Sequence, residues 1–260
     1  MKDLKKNIGL PVKLDDNYQL IFENGLSKVL PAIRTIDEMR EVLVDKTISS
    51  PKELYYMYRD VAFDKDRPME KKYELRYDIT VIRPDKLGDE FMKTAGHYHP
   101  GDYPELYEVV YGTAWCLLQK PSKKDYKVIE DVILVKAQTG DKIVCLPGYG
   151  HILINPSKNE PLVTSNWVGT RFSSDYSLYK EAEGAAYFYS EKNGKLKIEK
   201  NNFFTQVPKD IKQMVPSAKI EKFGLERNKP IYPIINNPDK LRFLNYPVEF
   251  DFSDAFVTKA

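Results

Sequence analysis

Cysteine and histidine are scarce in this chain, with two of the first and three of the second among 260 residues. Two cysteines cannot build a disulfide-stapled scaffold. Both sit in apolar, strand-like runs, Ala114-Trp115-Cys116-Leu117 and Ile143-Val144-Cys145-Leu146, and read as small buried hydrophobes. Net charge is also lacking. Forty Lys+Arg against 38 Asp+Glu leave +2, which argues against a nucleic acid or an anionic membrane as an electrostatically held partner. No apolar run approaches the roughly 20 residues that span a bilayer. The opening Met1-Lys2-Asp3-Leu4-Lys5-Lys6 lacks the apolar stretch of a signal peptide, so the cytoplasm is the expected address. Repeats, low-complexity tracts, a P-loop and GxGxxG are all missing. What is there, 42% hydrophobic and 30% charged residues, suits a soluble globular protein with a sizeable core. The length allows one large domain or one domain with an appendage.

Gly9, Pro11, Gly25 and Pro31 break residues 1–33 into extended arm segments, with no helix expected there. Thr35-Ile36-Asp37-Glu38 has capping-box spacing, and Met39, Val42 and Leu43 follow at helical intervals, which predicts a short helix over 36–45. Leu54-Tyr55-Tyr56-Met57-Tyr58 is β-prone despite the helix-start look of Ser50-Pro51-Lys52-Glu53, and a strand is expected at 54–59. From about residue 73 the character is β. The runs 73–83, 105–111, 113–119, 126–135, 142–146, 151–155 and 162–168 are broken by Gly, Pro, Asp or Asn, as in a sandwich or barrel. Tyr187–Ser190 and Lys195–Glu199 flank Lys192-Asn193-Gly194, a hairpin signal, and 174–186 has room for one short helix. Residues 201–260 turn rich in Pro, Asn and Lys. The expected layout is an N-terminal arm over 1–33, a β domain over 34–200 and an irregular extension over 201–260, packed on the body or on a partner.

The histidines fall in two places, His97-Tyr98-His99 and His151. In a strand, residues i and i+2 share a face, so His97 and His99 can present two imidazoles side by side. Glu105 opens the next strand-like run, and His151 follows the tight turn Pro147-Gly148-Tyr149-Gly150. Three imidazoles and a carboxylate suit one borderline divalent metal, with Fe²⁺ first and Mn²⁺, Zn²⁺, Ni²⁺ or Co²⁺ as alternatives. They leave positions open for substrate oxygens.

These residues resemble the two cupin motifs. The first appears as His97-x-His99-x5-Glu105-x6-Gly112 and the second as Gly140-x6-Pro147-x3-His151-x3-Asn155, with one spacer a residue longer and a glycine displaced. Within that superfamily, Thr94-Ala95-Gly96-His97-Tyr98-His99, Glu105-Leu106-Tyr107 and Pro147-x3-His151 are similar to the cupin-type phosphoglucose isomerases. Arg34–Asp45, Leu54–Tyr58, Asp78–Gly88 and Asp175-Tyr176 look similar in order and spacing, so the resemblance covers about residues 20–200. It implies an all-β cupin fold, a double-stranded β-helix or jelly-roll barrel with a few short helices and a C-terminal extension. It implies a homodimer, in which an N-terminal strand completes a neighbour's sheet edge. It implies His97, His99, Glu105 and His151 as metal ligands, and Thr80, Thr94 and Gly96 at the phosphate of a phosphorylated sugar. Tyr55, Tyr107 and Tyr176 would line the sugar pocket. The family's histidine before the Asp-Tyr pair is Ser174 here, and its tyrosine near 167–168 is replaced by Trp167-Val168.

The implied reaction interconverts glucose 6-phosphate and fructose 6-phosphate through an enediolate. It needs a base and stabilisation of a developing oxyanion. Glu105 is the one carboxylate the motif places at the metal, so it is expected to act as ligand and proton shuttle, with Tyr107 beside it in the catalytic site. A hydride shift between C1 and C2 is the rival route. A cupin oxygenase or decarboxylase and a non-catalytic sugar-binding cupin are competing functions. No Arg or Lys cluster adjoins the motif except Lys93, which shares strand parity with His97 and is expected at the far end of the pocket. For residues 201–260 a lid or dimer role stands beside a structural wrap.

Overall fold

The computed structural model describes residues 1–258. Ten strands carry its two main sheets: β1 (Ala32–Thr35), β2 (Glu53–Tyr58), β3 (Leu75–Ile82), β4 (Glu90–Lys93), β5 (Glu105–Tyr111), β6 (Thr113–Pro121), β7 (Ile129–Gln138), β8 (Lys142–Cys145), β9 (Gly150–Asn155) and β10 (Leu162–Gly169). The first sheet runs β8-β5-β10-β3-β2-β1. The second runs through β4-β9-β6-β7, extended on one side by the hairpin Tyr187–Lys192/Lys195–Lys200 and on the other by Lys212–Pro216 and Phe256–Thr258. The chain crosses repeatedly between the sheets: β5 lies in the first, β6 and β7 in the second, β8 in the first, β9 in the second and β10 in the first. All pairings among the ten strands are antiparallel. The two sheets curl face to face into a cupin-like half-barrel around one hydrophobic core.

The strand at Glu53–Tyr58 forms as its β-branched and aromatic surroundings demand, paired with β3. The helix expected over 36–45 is shorter. The Thr35 capping box starts α2 (Ile36–Met39), which tightens into a 3₁₀ turn over Arg40–Val42. Two helices depart from the sequence reading. The arm contains one helical turn, α1 (Lys5–Ile8), ended by Gly9 at φ 77°, which satisfies a terminal carbonyl. A second helix, α3 (Arg67–Tyr73), starts with Pro68 in its first turn. The short helix foreseen within 174–186 is α4 (Ser177–Glu181).

Side-chain parity divides the first sheet into two faces. Pairing places Tyr107 beside Asn166 and Asn166 beside Asp78, and sets Glu105 beside Val168 and Val168 beside Arg76. These side chains point into the barrel. The alternate row, Leu106, Trp167 and Tyr77, points out, and yet all three are buried. The cover comes from the last 50 residues. Tyr232 stacks on Trp167 with ring centroids 6.0 Å apart and meets Tyr77 edge-on at 5.1 Å. The Trp167 indole N–H donates to the Ile231 carbonyl at 3.0 Å, and the Tyr232 hydroxyl donates to Asp66 at 2.7 Å. Under the same cover Lys142 Nζ lies 2.8 Å from Glu108 Oε1 in a buried ion pair, and Ile231 N–H donates to Glu108 at 3.2 Å. Neither face of β5 or β10 is wetted, and every residue of the two strands is buried except Tyr111, the polar ones included. No helix among the described residues is long and apolar enough to cross a membrane.

Candidate metal centre and cleft

His97 and His99 come together with His151, though not by strand pairing. Residues 94–100 form no strand. A single antiparallel bridge joins His97 to His151, their amides and carbonyls exchanging hydrogen bonds at 3.3 and 3.1 Å. The bridge sets the two rings with centroids 4.3 Å apart, and His99 packs at 4.9 Å from His97. Gly96 makes the approach possible. It has φ +80°, and a Cβ there would stand 2.4 Å from Ile152 and 2.6 Å from the Tyr179 ring, so only glycine fits.

Glu105, at the start of β5, faces the three rings. Its Oε2 lies 3.1 Å from His151 Nε2, 3.4 Å from His99 Nε2 and 3.8 Å from His97 Nε2. One ligand atom from each of the four residues falls within a 4.8 Å span. That Oε2 is buried and has no hydrogen-bond partner, a costly state for a carboxylate oxygen unless something else binds it. Burial drives the His97 pKa well below its usual value and the His99 pKa down to about 4, so both rings are neutral near pH 7. Burial opposes ionisation of Glu105, but the nearby His151 and His99 imidazoles outweigh it and hold the carboxyl below its ordinary value. Neutral imidazoles around an ionised carboxylate are the protonation forms a divalent cation requires. The group therefore fits a metal ion.

Neighbours fix the orientation of these groups. Asn166 Nδ2 donates to Glu105 Oε1 at 2.7 Å, leaving Oε2 to the histidines. His99 Nδ1 sits 3.0 Å from the Tyr103 carbonyl, which selects its tautomer. Phe172 packs between the His99 and Tyr103 rings at 4.4 and 5.0 Å. The Tyr107 hydroxyl reaches to 3.4 Å from His151 Nε2. Burial, then the Glu105 charge, raise its pKa well above the phenol range and keep it a donor.

The centre opens into a cleft that also reaches Tyr55, Thr80, Thr94, Gly96 and Tyr176, so every sequence-derived site residue lines one space except His151, which joins it through the metal-ligand group. Tyr55 is buried, and its hydroxyl accepts the Ala95 N–H at 3.2 Å. Thr94 Oγ1 accepts the Leu153 N–H at 3.0 Å. Tyr176 lies over the His97 ring at 5.5 Å, with the Arg34 guanidinium 5.9 Å from its own ring. Lys93 is not part of the cleft. Its ammonium is buried and bonded to the Val42 carbonyl and the Glu90 carboxylate, because the chain leaves regular strand geometry after residue 93 and the parity with His97 is lost. The cations in the cleft are Arg59 and Arg76, with Asp78 between them. Sequence reasoning missed all three, along with Asn166. The available signal was a buried strand carrying polar residues at every second position, Arg76-x-Asp78-x-Thr80.

Comparison with known proteins agrees with this geometry. The family model described as Glucose-6-phosphate isomerase (GPI) matches residues 33–206. A glucose-6-phosphate isomerase of Thermococcus litoralis is 26% identical over 197 residues, covering 73% of this chain and 93% of the relative. One of Pyrococcus abyssi is 26% identical over 196 residues, covering 74% and 95%, and one of Thermococcus gammatolerans is 27% identical over 172 residues, covering 65% and 85%. The match spans the barrel and every residue of the cleft, and the chain belongs to the glucose-6-phosphate isomerase (GPI) family.

Proposed function

We propose that the chain is a metal-dependent aldose–ketose isomerase that interconverts glucose 6-phosphate and fructose 6-phosphate. The observation that carries this reading is the buried, unpartnered Oε2 of Glu105, ringed by three imidazoles at one end of the cleft. His97, His99, Glu105 and His151 would hold the metal, with Fe²⁺ first among the candidates. When bound, a divalent cation supplies Lewis acidity toward hydroxyl and carbonyl oxygens and so favours negative charge on them.

The remaining chemistry belongs to the chain. Glu105 Oε2 would give up its place as a ligand once substrate is bound, take the proton from C2 of the aldose and return it to C1, passing through an enediolate while the hydroxyl proton moves from O2 to O1. Asn166 holds Oε1, so the basic oxygen keeps its aim. Tyr107 remains protonated and donates to an oxygen of the substrate or to the carboxylate. Thr80, Thr94 and Gly96 hold the phosphate through a hydroxyl or a backbone N–H. Tyr55 and Tyr176 shape the sugar pocket.

The test is turnover of fructose 6-phosphate by anaerobically purified protein, coupled to glucose-6-phosphate dehydrogenase, with EDTA and with added Fe²⁺ or Mn²⁺. Metal-dependent turnover supports the reading. Absence of turnover in every metal state overturns it. Reaction in heavy water then tests the route: deuterium in the product supports proton transfer by Glu105, and full retention of the substrate hydrogen favours the hydride shift.

A further inference from the structure

The phosphate residues just named carry no formal charge, and a sugar phosphate is dianionic. We propose that Arg59 and Arg76, braced by the buried Asp78, supply the positive charge that seats the substrate's phosphate and so set the specificity of the cleft for phosphorylated sugars. This rests on the isomerase reading and adds to it two residues on a different strand pair from the metal ligands.

The brace is built from sheet register. Arg76, Asp78 and Thr80 alternate along β3 and face the cleft. Met57 pairs with Thr80 from β2, and Arg59 follows two residues later on the same face. Asp78 is buried and held in place by the Asp60 N–H at 2.8 Å. Arg76 Nε lies 2.9 and 3.0 Å from its two oxygens, and Arg76 Nη2 lies 2.8 Å from Oδ2. Arg76 therefore spends one edge of its guanidinium on the brace. Its Nη1 has no hydrogen-bond acceptor among the described residues. Arg59 is less committed. Its Nη1 stands 3.8 Å from Asp78 Oδ2, and its Nη2 touches Met57 Sδ at 3.5 Å. That contact folds the guanidinium back toward the Thr80 row.

Two guanidinium groups share the Asp78 carboxylate, and the other carboxylate lining the cleft, Glu105, belongs to the metal-ligand group. A purely structural ion pair at Asp78 needs only one arginine. Drawing a second cation into a cleft without its own counterion costs desolvation, which a bound anion offsets. The guanidinium fork matches phosphate geometry. The side chains of Arg59 and Arg76 are 42% and 33% exposed while Asp78 is 8%, so the brace is hidden and the donors remain open to the cleft. Val168 and Ser174 line the cleft beside them with small side chains.

The experiment compares metal-loaded wild type with Arg59→Gln, Arg59→Lys and Arg76→Gln. Turnover of fructose 6-phosphate and stabilisation against heat by inorganic phosphate are both measured. Loss of a charge-assisted contact predicts a KM raised roughly ten- to a hundredfold in each Gln variant, with kcat changed less than threefold. It also predicts loss of most of the phosphate-induced rise in Tm, and partial recovery of both in Arg59→Lys. Wild-type turnover with KM and phosphate stabilisation within twofold of normal in Arg59→Gln overturns the phosphate seat and leaves the isomerase reading standing. Phosphate stabilisation that Arg59→Gln removes from a wild type without turnover overturns the isomerase reading and supports the anion seat. Arg59 lies at the rim and lacks a hydrogen-bonded carboxylate, so its variants carry the test even if Arg76→Gln fails to fold.

Discussion

The two faces of the first sheet invert the usual rule for a barrel. The inner face carries Glu105, Tyr107, Asn166, Asp78, Arg76 and Thr80, nearly all polar. The outer face carries Leu106, Trp167 and Tyr77, all buried beneath Tyr232 and Ile231. Ordinarily apolar residues fill a barrel and polar ones meet water. Here the interior of this sheet is given over to chemistry, so the apolar area that stabilises it has moved to the back. The C-terminal extension is what makes the back an interior. Among the described residues none beyond Tyr176 lines the cleft, and the segment reaches the site's sheet from behind, through Ile231 and Tyr232.

The comparison predicts a clean separation of activity from stability. On the inner face, Glu105→Gln should lower turnover by about 10²–10⁴-fold, the usual worth of a positioned base, and should reduce bound metal. Its urea midpoint without metal should fall only slightly, because the imidazoles that hold the carboxyl below its ordinary value lose a charged partner while the packing is kept. A large loss of stability in that variant breaks the comparison. On the outer face, Tyr232→Ala removes a ring stacked on Trp167 and a hydroxyl bonded to Asp66 and to the Phe63 N–H. It should cost about 3–5 kcal/mol in urea unfolding, with KM for fructose 6-phosphate unchanged in the molecules that remain folded.

Lys142→Met sharpens the same contrast. It strands Glu108, whose carboxyl burial already pushes up to about 7 although Lys142 pulls it down. Without the lysine the carboxyl titrates higher still. The variant should lose roughly 3 kcal/mol at pH 8, as for a broken buried pair, and clearly less at pH 5, where Glu108 takes up a proton. Urea midpoints at the two pH values check this, and an equal loss at both counts against it.

Sequence made the metal-centre candidates legible because His97, His99, Glu105 and His151 are chemically distinctive and rare in this chain. The barrel was legible because its strands are short and separated by Gly, Pro and Asn. Arg59, Arg76, Asp78 and Asn166 were not legible. Each is an ordinary polar residue until register sets β2, β3 and β10 side by side, and that register is a long-range property. Lys93 failed for the opposite reason. Parity was extended across residues 94–96, where Gly96 takes a positive φ and ends the alternation. The helix α3 was missed because part of its stability comes from packing on the 3₁₀ segment Pro238–Leu244, which is remote in sequence.

The smallest effect belongs to Glu70, on α3 beside the covered face. Like Glu105 it is a buried carboxylate, but its environment pushes the other way. Burial raises its carboxyl to about 7, the Asp60 and Asp66 charges add to the rise, and Arg67 offsets only part. Its Oε1 has no partner, while Oε2 is 3.3 Å from Arg67. The folded chain thus holds a proton that the unfolded chain, with an ordinary Glu near 4.5, releases. The stability this proton contributes is complete below pH 4.5 and is lost as pH rises toward 7. The slope is at most about 1.4 kcal/mol per pH unit for one proton, and solvent near the carboxyl lowers it further. Glu70→Gln removes the titration while keeping the shape, so the Tm of the variant should fall less than that of wild type between pH 5 and 7.5 and should equal or exceed it at pH 7.5. Parallel Tm curves for the two proteins across that range would mean that Glu70 is ionised throughout, and that the covered face tolerates a buried charge as readily as the metal centre does.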